Sequence, residues 1–111
     1  MQQLKHKGLK MKLLQIDFPM EEPFGENMTE AFKDLAKDIA QEEGLIWKIW
    51  TENQETKEAG GIYLFEDAKN AKRYLEKHTS RLNSFGIKNL SAKTFDVNVP
   101  LSLIDKANFI K

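Results

Sequence analysis

Residues 44–65 read GLIWKIWTENQETKEAGGIYLF, and the rest of the chain is arranged around them. Leu45–Asn53 and Ala59–Phe65 are strand-like runs rich in Leu, Ile, Trp, Tyr and Phe, and the polar, charged turn Gln54–Glu58 separates them. This spacing predicts a hairpin with a loop longer than the tight two-residue type. Alternation places Leu45, Trp47, Ile49 and Thr51 on one face, and Ile46, Lys48, Trp50 and Glu52 on the other. Both tryptophans and one of the two tyrosines lie in the hairpin, so it serves as the middle of a sheet and as one wall of a small-molecule pocket. The Gly60-Gly61 pair at the start of the second run signals a bulge or a close approach of two backbones.

Upstream, Lys12–Phe18 is a first strand, with Leu14, Ile16 and Phe18 on one face. Pro19 and Pro23 break regular structure, which makes Pro19–Gly25 a loop; Glu21, Glu22 and Glu26 give it an acidic character that suits a lid or, more simply, a solvated loop. Asn27–Glu43 is predicted as a helix, with Asn27 and Glu30 forming a capping pair. Met28, Ala31, Phe32, Leu35, Ala36 and Ile39 make its apolar stripe, and Gly44 is its left-handed stop. Downstream, a second helix starts at Asp67 and ends at Gly86; its inner stripe includes Tyr74, Leu75, His78, Leu82 and Phe85. Leu90–Val97 is a fourth strand stopped by Pro100, and the tail Leu101–Ile110 has room for one or two helical turns.

The order β-α-β-β-α-β is the ferredoxin-like pattern of an α+β protein: a four-stranded antiparallel sheet with two helices on one face. The hairpin carries bulky apolar groups on both faces. An uncovered sheet face of that content is an apolar patch, and a second copy packed sheet to sheet covers it, so a two-fold homodimer is expected.

At 111 residues the chain makes one domain, expected to run from residue 11 to 111 behind a basic, disordered leader of residues 1–10. The leader lacks the apolar core of a signal peptide. Seventeen basic and 17 acidic residues cancel, which argues against a dedicated nucleic-acid binder. Without cysteine there is no disulfide and no thiolate nucleophile, which fits a cytoplasmic location. No apolar run is long enough for a membrane span.

The segments Pro23–Gly25, Leu45–Glu52, Ala59–Phe65, Tyr74–Leu82 and Phe95–Ser102, in this order and spacing, resemble the YdhR family of mono-oxygenases, from about Met11 to about Ala107. The resemblance implies a dimeric α+β barrel and a role in the oxidation of aromatic compounds. A fold does not by itself fix a reaction.

The chemistry-bearing residues are few. His78 is the one histidine within the fold, and Arg81 follows it at helical spacing. In a catalytic reading His78 is the general base that deprotonates a phenol or hydroquinone, and Arg81 holds the resulting oxyanion while the electron-rich anion reduces O2 directly. In a structural reading His78 is a hydrogen-bonded core residue and Arg81 a surface cation. Trp47, Trp50, Tyr63 and Phe32 are candidate aromatic walls for a flat substrate. Trp47 and Trp50 face opposite sides of the strand, so only one of them lines any one side. Lys48 and Glu52 read as an interface salt bridge. No nucleotide fingerprint and no metal site is present, and no cofactor is predicted; flavin stays open, as does haem with His78 as a single axial ligand. The function expected is a mono-oxygenase of small aromatic or quinol-type compounds. A non-catalytic dimer that binds or senses the same ligands is the alternative, and isomerase or decyclase chemistry is a third.

Overall fold

Four strands and three helices follow one another along the chain: β1 Lys12–Pro19, α1 Gly25–Ile39, β2 Leu45–Asn53, β3 Glu58–Phe65, α2 Ala68–Ser84, β4 Ser91–Asp96 and α3 Val99–Ile104. The computed structural model describes residues 10–108; the leader, apart from Lys10, and the end of the tail lie outside the described residues. The sheet order is β2-β3-β1-β4, and every neighbouring pair is antiparallel. This is the ferredoxin-like arrangement, in which each helix carries the chain back so that the next strand can join the same sheet.

The helix-facing side of the sheet holds the main core. Leu14 and Ile16 of β1, Tyr63 and Phe65 of β3, Ile39 of α1, and Ala71 and Tyr74 of α2 close on one another, all buried. The face expected for Leu14, Ile16 and Phe18 of β1 is the one observed. β2 departs from the expected alternation at its start. Leu45 pairs with Phe65, but Leu64 pairs with Trp47, so Ile46 is an extra residue in a β-bulge. A one-residue step reverses the faces on one side of it. Leu45 therefore packs into the helix-side core, and Ile46 joins Trp47 on the opposite face. The expected grouping of Ile46 with Lys48 and Trp50 is corrected accordingly.

The opposite face is not bare. Val99 and Leu103 of α3, with Ala107 after it, pack against Met11, Leu13, Leu64 and Trp47. Pro100 lies in the first turn of α3, where its missing N–H costs nothing, and the Asn98 side chain accepts from Leu101 N–H at 3.1 Å. The tail thus covers one end of its own sheet. Beyond it, Ile49 is 49% exposed and Phe95 45% exposed on this same face.

Four further expectations need correction. α1 starts at Gly25 and has no side-chain cap from Asn27. Its first N–H, that of Gly25, is bound by the Glu52 carboxylate at 2.8 Å, a cap supplied from β2. The helix ends at Ile39, four residues short of Glu43, and Gly44 takes its left-handed conformation (φ 84°) at the entry to β2. Ala31 is exposed, outside the buried stripe of α1. Phe85, expected on the inner stripe of α2, is 55% exposed, because α2 ends one residue before it.

The glycine pair marks a close approach. A side chain on Gly60 would meet the Ile16 carbonyl oxygen at 1.9 Å, and one on Gly61 would meet Lys48 Cε at 2.7 Å. Gly60 lets β1 and β3 approach; Gly61 leaves room for the stem of Lys48.

Candidate functional site

A cleft lies over the sheet, lined by residues of both α1 and α2. Its floor is Lys48, Trp50, Gly60 and Tyr63; its walls are Met28, Phe32 and Leu35 from α1, and His78 and Leu82 from α2. Phe18 and Met20 close one end, with Ile87. The enclosed part holds little more than a water-sized molecule. Phe32 stacks on Trp50 with ring centroids 6.0 Å apart. It also borders two shallower recesses, one with Glu21, Glu22, Phe85 and Ile87, the other with Thr29, Lys33 and Glu52.

Helical periodicity puts Tyr74, His78 and Leu82 on the buried side of α2, one turn apart. The His78 ring is 3% exposed, stacks on Tyr74 at 4.9 Å and meets Tyr63 edge-on at 6.2 Å. Tyr74 donates its hydroxyl proton to the Tyr63 hydroxyl at 3.2 Å in the buried layer. Burial pushes the Tyr63 phenol up to about 12, and Tyr74 is pushed up further by burial and by Tyr63, so both stay protonated and neutral.

Arg81 Nε donates to His78 Nδ1 at 3.2 Å, and Arg81 Nη1 pairs with Asp38 of α1 at 2.8 Å. With Nδ1 accepting, the imidazole proton sits on Nε2. Burial, then the charges of Arg81, Lys48 and Lys77, lower the His78 pKa to about 3. The ring is thus neutral at pH 7 and presents N–H rather than a free lone pair. That geometry suits a hydrogen-bond donor to an oxyanion better than a general base. It does not suit a haem ligand, whose nitrogen needs an uncommitted lone pair.

Lys48 is the residue that sequence reading missed. Its Nζ lies 3.4 Å from the centroid of the Trp50 ring and 4.6 Å from that of Tyr63. Glu52, its expected partner, caps α1 instead. Burial, then Arg81, lower the Lys48 pKa to about 7. Its place was available from alternation: Lys48 sits on the face of Trp50, directly opposite Tyr63 and next to the pair Trp50–Gly61. Of the expected aromatic walls, Trp50, Tyr63 and Phe32 meet at the cleft. Trp47 lies on the other face, against α3. Among the described residues, no three of His, Asp and Glu converge on a metal-sized site, and no helix is long and apolar enough to cross a membrane.

A family model described as "Putative mono-oxygenase ydhR" matches residues 13–108. The chain belongs to the YdhR family. The match spans all four strands and α1 to α3, so the YdhR assignment includes every residue of the cleft. No curated protein matches the chain. Among solved structures, the crystal structure of protein SO0527 from Shewanella oneidensis is similar, with a TM-score of 0.59 and 14% identity. The likeness covers 79% of this chain and 91% of that one, and at this identity it speaks for the YdhR chain's fold alone.

Proposed function

We propose that this protein is a mono-oxygenase of small aromatic or quinol-type compounds, bound in the cleft between the two long helices and the sheet. The observation that carries the reading is that the cleft of a mono-oxygenase-family chain joins aromatic walls to a buried hydrogen-bond donor, His78. Trp50, Phe32 and Tyr63 offer ring faces; His78 offers its Nε2–H, held in place by Arg81, which Asp38 anchors.

The chemistry balances without a further reductant. An electron-rich arene bearing an oxidisable CH2 loses a proton, and its anion gives electrons to O2. One oxygen atom ends on that carbon as a carbonyl, and the other leaves as water with the two hydrogens of the substrate. The protein's part is to hold the anion, stabilise charge on oxygen and keep bulk water out. His78 Nε2–H serves as donor, and Arg81 fixes its tautomer and adds positive charge.

Oxygen uptake against hydroquinones, anthrones and catechols, with no flavin or metal added, tests this. Wild-type uptake is expected to fall about 100-fold in His78→Ala, the scale of losing one oxyanion donor. Uptake unchanged in that variant removes His78 from the chemistry. Binding of the panel with no uptake favours a ligand-binding role for the same cleft.

The homodimer is part of the same proposal. Ile49 and Phe95 lie on opposite flanks of the face that α3 leaves uncovered, and a second copy would bury both. The double change Ile49→Glu with Phe95→Glu is expected to halve the mass measured by light scattering while the circular dichroism stays unchanged. An unaltered mass would place the contact elsewhere.

A further inference from the structure

The cleft contains a charge that the proposed chemistry has not yet used. Lys48 Nζ lies over the Trp50 ring and beside the Tyr63 ring. Among the described residues no carboxylate pairs with it. The carboxylates near the site are engaged: Asp38 by Arg81 at 2.8 Å and Glu52 by the start of α1. The groups facing it from α2 are Arg81, a second cation, and His78, which is neutral. From β3 it faces Tyr63, also neutral. The position is built in: a side chain at residue 61 would strike Lys48 Cε at 2.7 Å, so glycine at this point lets the stem lie inward across β3. A buried ammonium without a counter-ion is costly. Arg81 is balanced by Asp38, so Lys48 is the charge of the lined space that lacks a negative partner among the described residues.

Resting on the aromatic reading of the cleft, we infer that its ligand is an arene bearing an acidic oxygen, a phenol or enol, and that Lys48 is the group that pairs with the anion. The aromatic ring takes the place of Phe32 on the Trp50 face once that side chain swings aside, and its oxygen reaches Nζ. The phenolic proton leaves for solvent when Lys48 is already the ammonium, or passes to its amine when it is neutral, and in both cases the ammonium holds the oxyanion that the oxidation requires. The depressed basicity of Lys48 in the empty cleft fits this exchange: a bound anion restores the ammonium.

4-Nitrophenol tests the inference without turnover, because its anion absorbs visible light and the neutral phenol does not. At about pH 6, binding to the wild type is expected to raise the phenolate fraction of bound ligand about tenfold over that in buffer, the worth of one charge-assisted hydrogen bond. Lys48→Met is expected to abolish the rise, and Lys48→Arg to keep it. 4-Nitroanisole has the same ring and no acidic proton, so it reports aromatic binding alone. If both ligands bind equally and no phenolate appears, the aromatic cleft stands and the inference about Lys48 is overturned. A phenolate signal that survives in a folded Lys48→Met protein also overturns it. If neither ligand binds, both readings fall.

Discussion

Acidification from pH 6.5 to pH 3 will destabilise this protein beyond what its carboxylates require, and His78→Gln will remove most of that excess. The His78 pKa is lowered from 6.5 to about 3 by burial first and by Arg81, Lys48 and Lys77 after it. Between those values the unfolded chain binds a proton that the folded chain refuses, so stability falls as pH falls through this window. The loss is on the order of 4 kcal/mol when complete. The exposed pair of Lys12 and Asp96 acts with the same sign, but solvent screens it. Glutamine has no proton to gain and can still accept from Arg81. Urea midpoints at several pH values would measure the difference; parallel slopes for wild type and variant would refute it.

Gly60→Ala should be the most damaging single methyl in the molecule. The added carbon would lie 1.9 Å from the Ile16 carbonyl oxygen, 2.9 Å from its carbon and 3.0 Å from Asp17 Cα. All three are backbone atoms of β1, so no rotamer change relieves the clash and the two central strands must separate. A cost of about 3 kcal/mol or more is expected from chemical denaturation. Gly86→Ala is the control. Its φ is 87°, but nothing lies within 4 Å, so only conformational strain of about 1 kcal/mol applies. Equal costs at the two sites would show that β1 can give way.

The topology was legible because each element announced itself through a period: two for Leu14, Ile16 and Phe18, and 3.6 for Tyr74, His78 and Leu82. What was hidden needed partners from distant parts of the chain. The start of α1 was misread at Asn27 because its cap is Glu52, on another element. Leu45 and Ile46 were assigned to the wrong faces because a bulge leaves no mark in strict alternation. Within the site, Trp50, Tyr63 and Phe32 could be foreseen as apolar bulk. The role of Lys48 could not, since a lysine beside a glutamate two turns of the pleat away reads as a pair until the glutamate is seen elsewhere. His78 was found by its rarity, but its proton position depends on Arg81, whose third-residue spacing suggested proximity and not which nitrogen it would touch.

Phe32 borders the cleft and both neighbouring recesses. Its side chain is therefore common to all three spaces, of which the enclosed one holds little more than a water-sized molecule. Swinging that one ring aside would join them into a continuous trough without moving the backbone. Side-chain rotation of this kind takes picoseconds to nanoseconds at accessible positions, far faster than loop or domain closure. A ligand admitted this way meets no slow gate, so its arrival and departure would be governed by diffusion and by its grip on the walls.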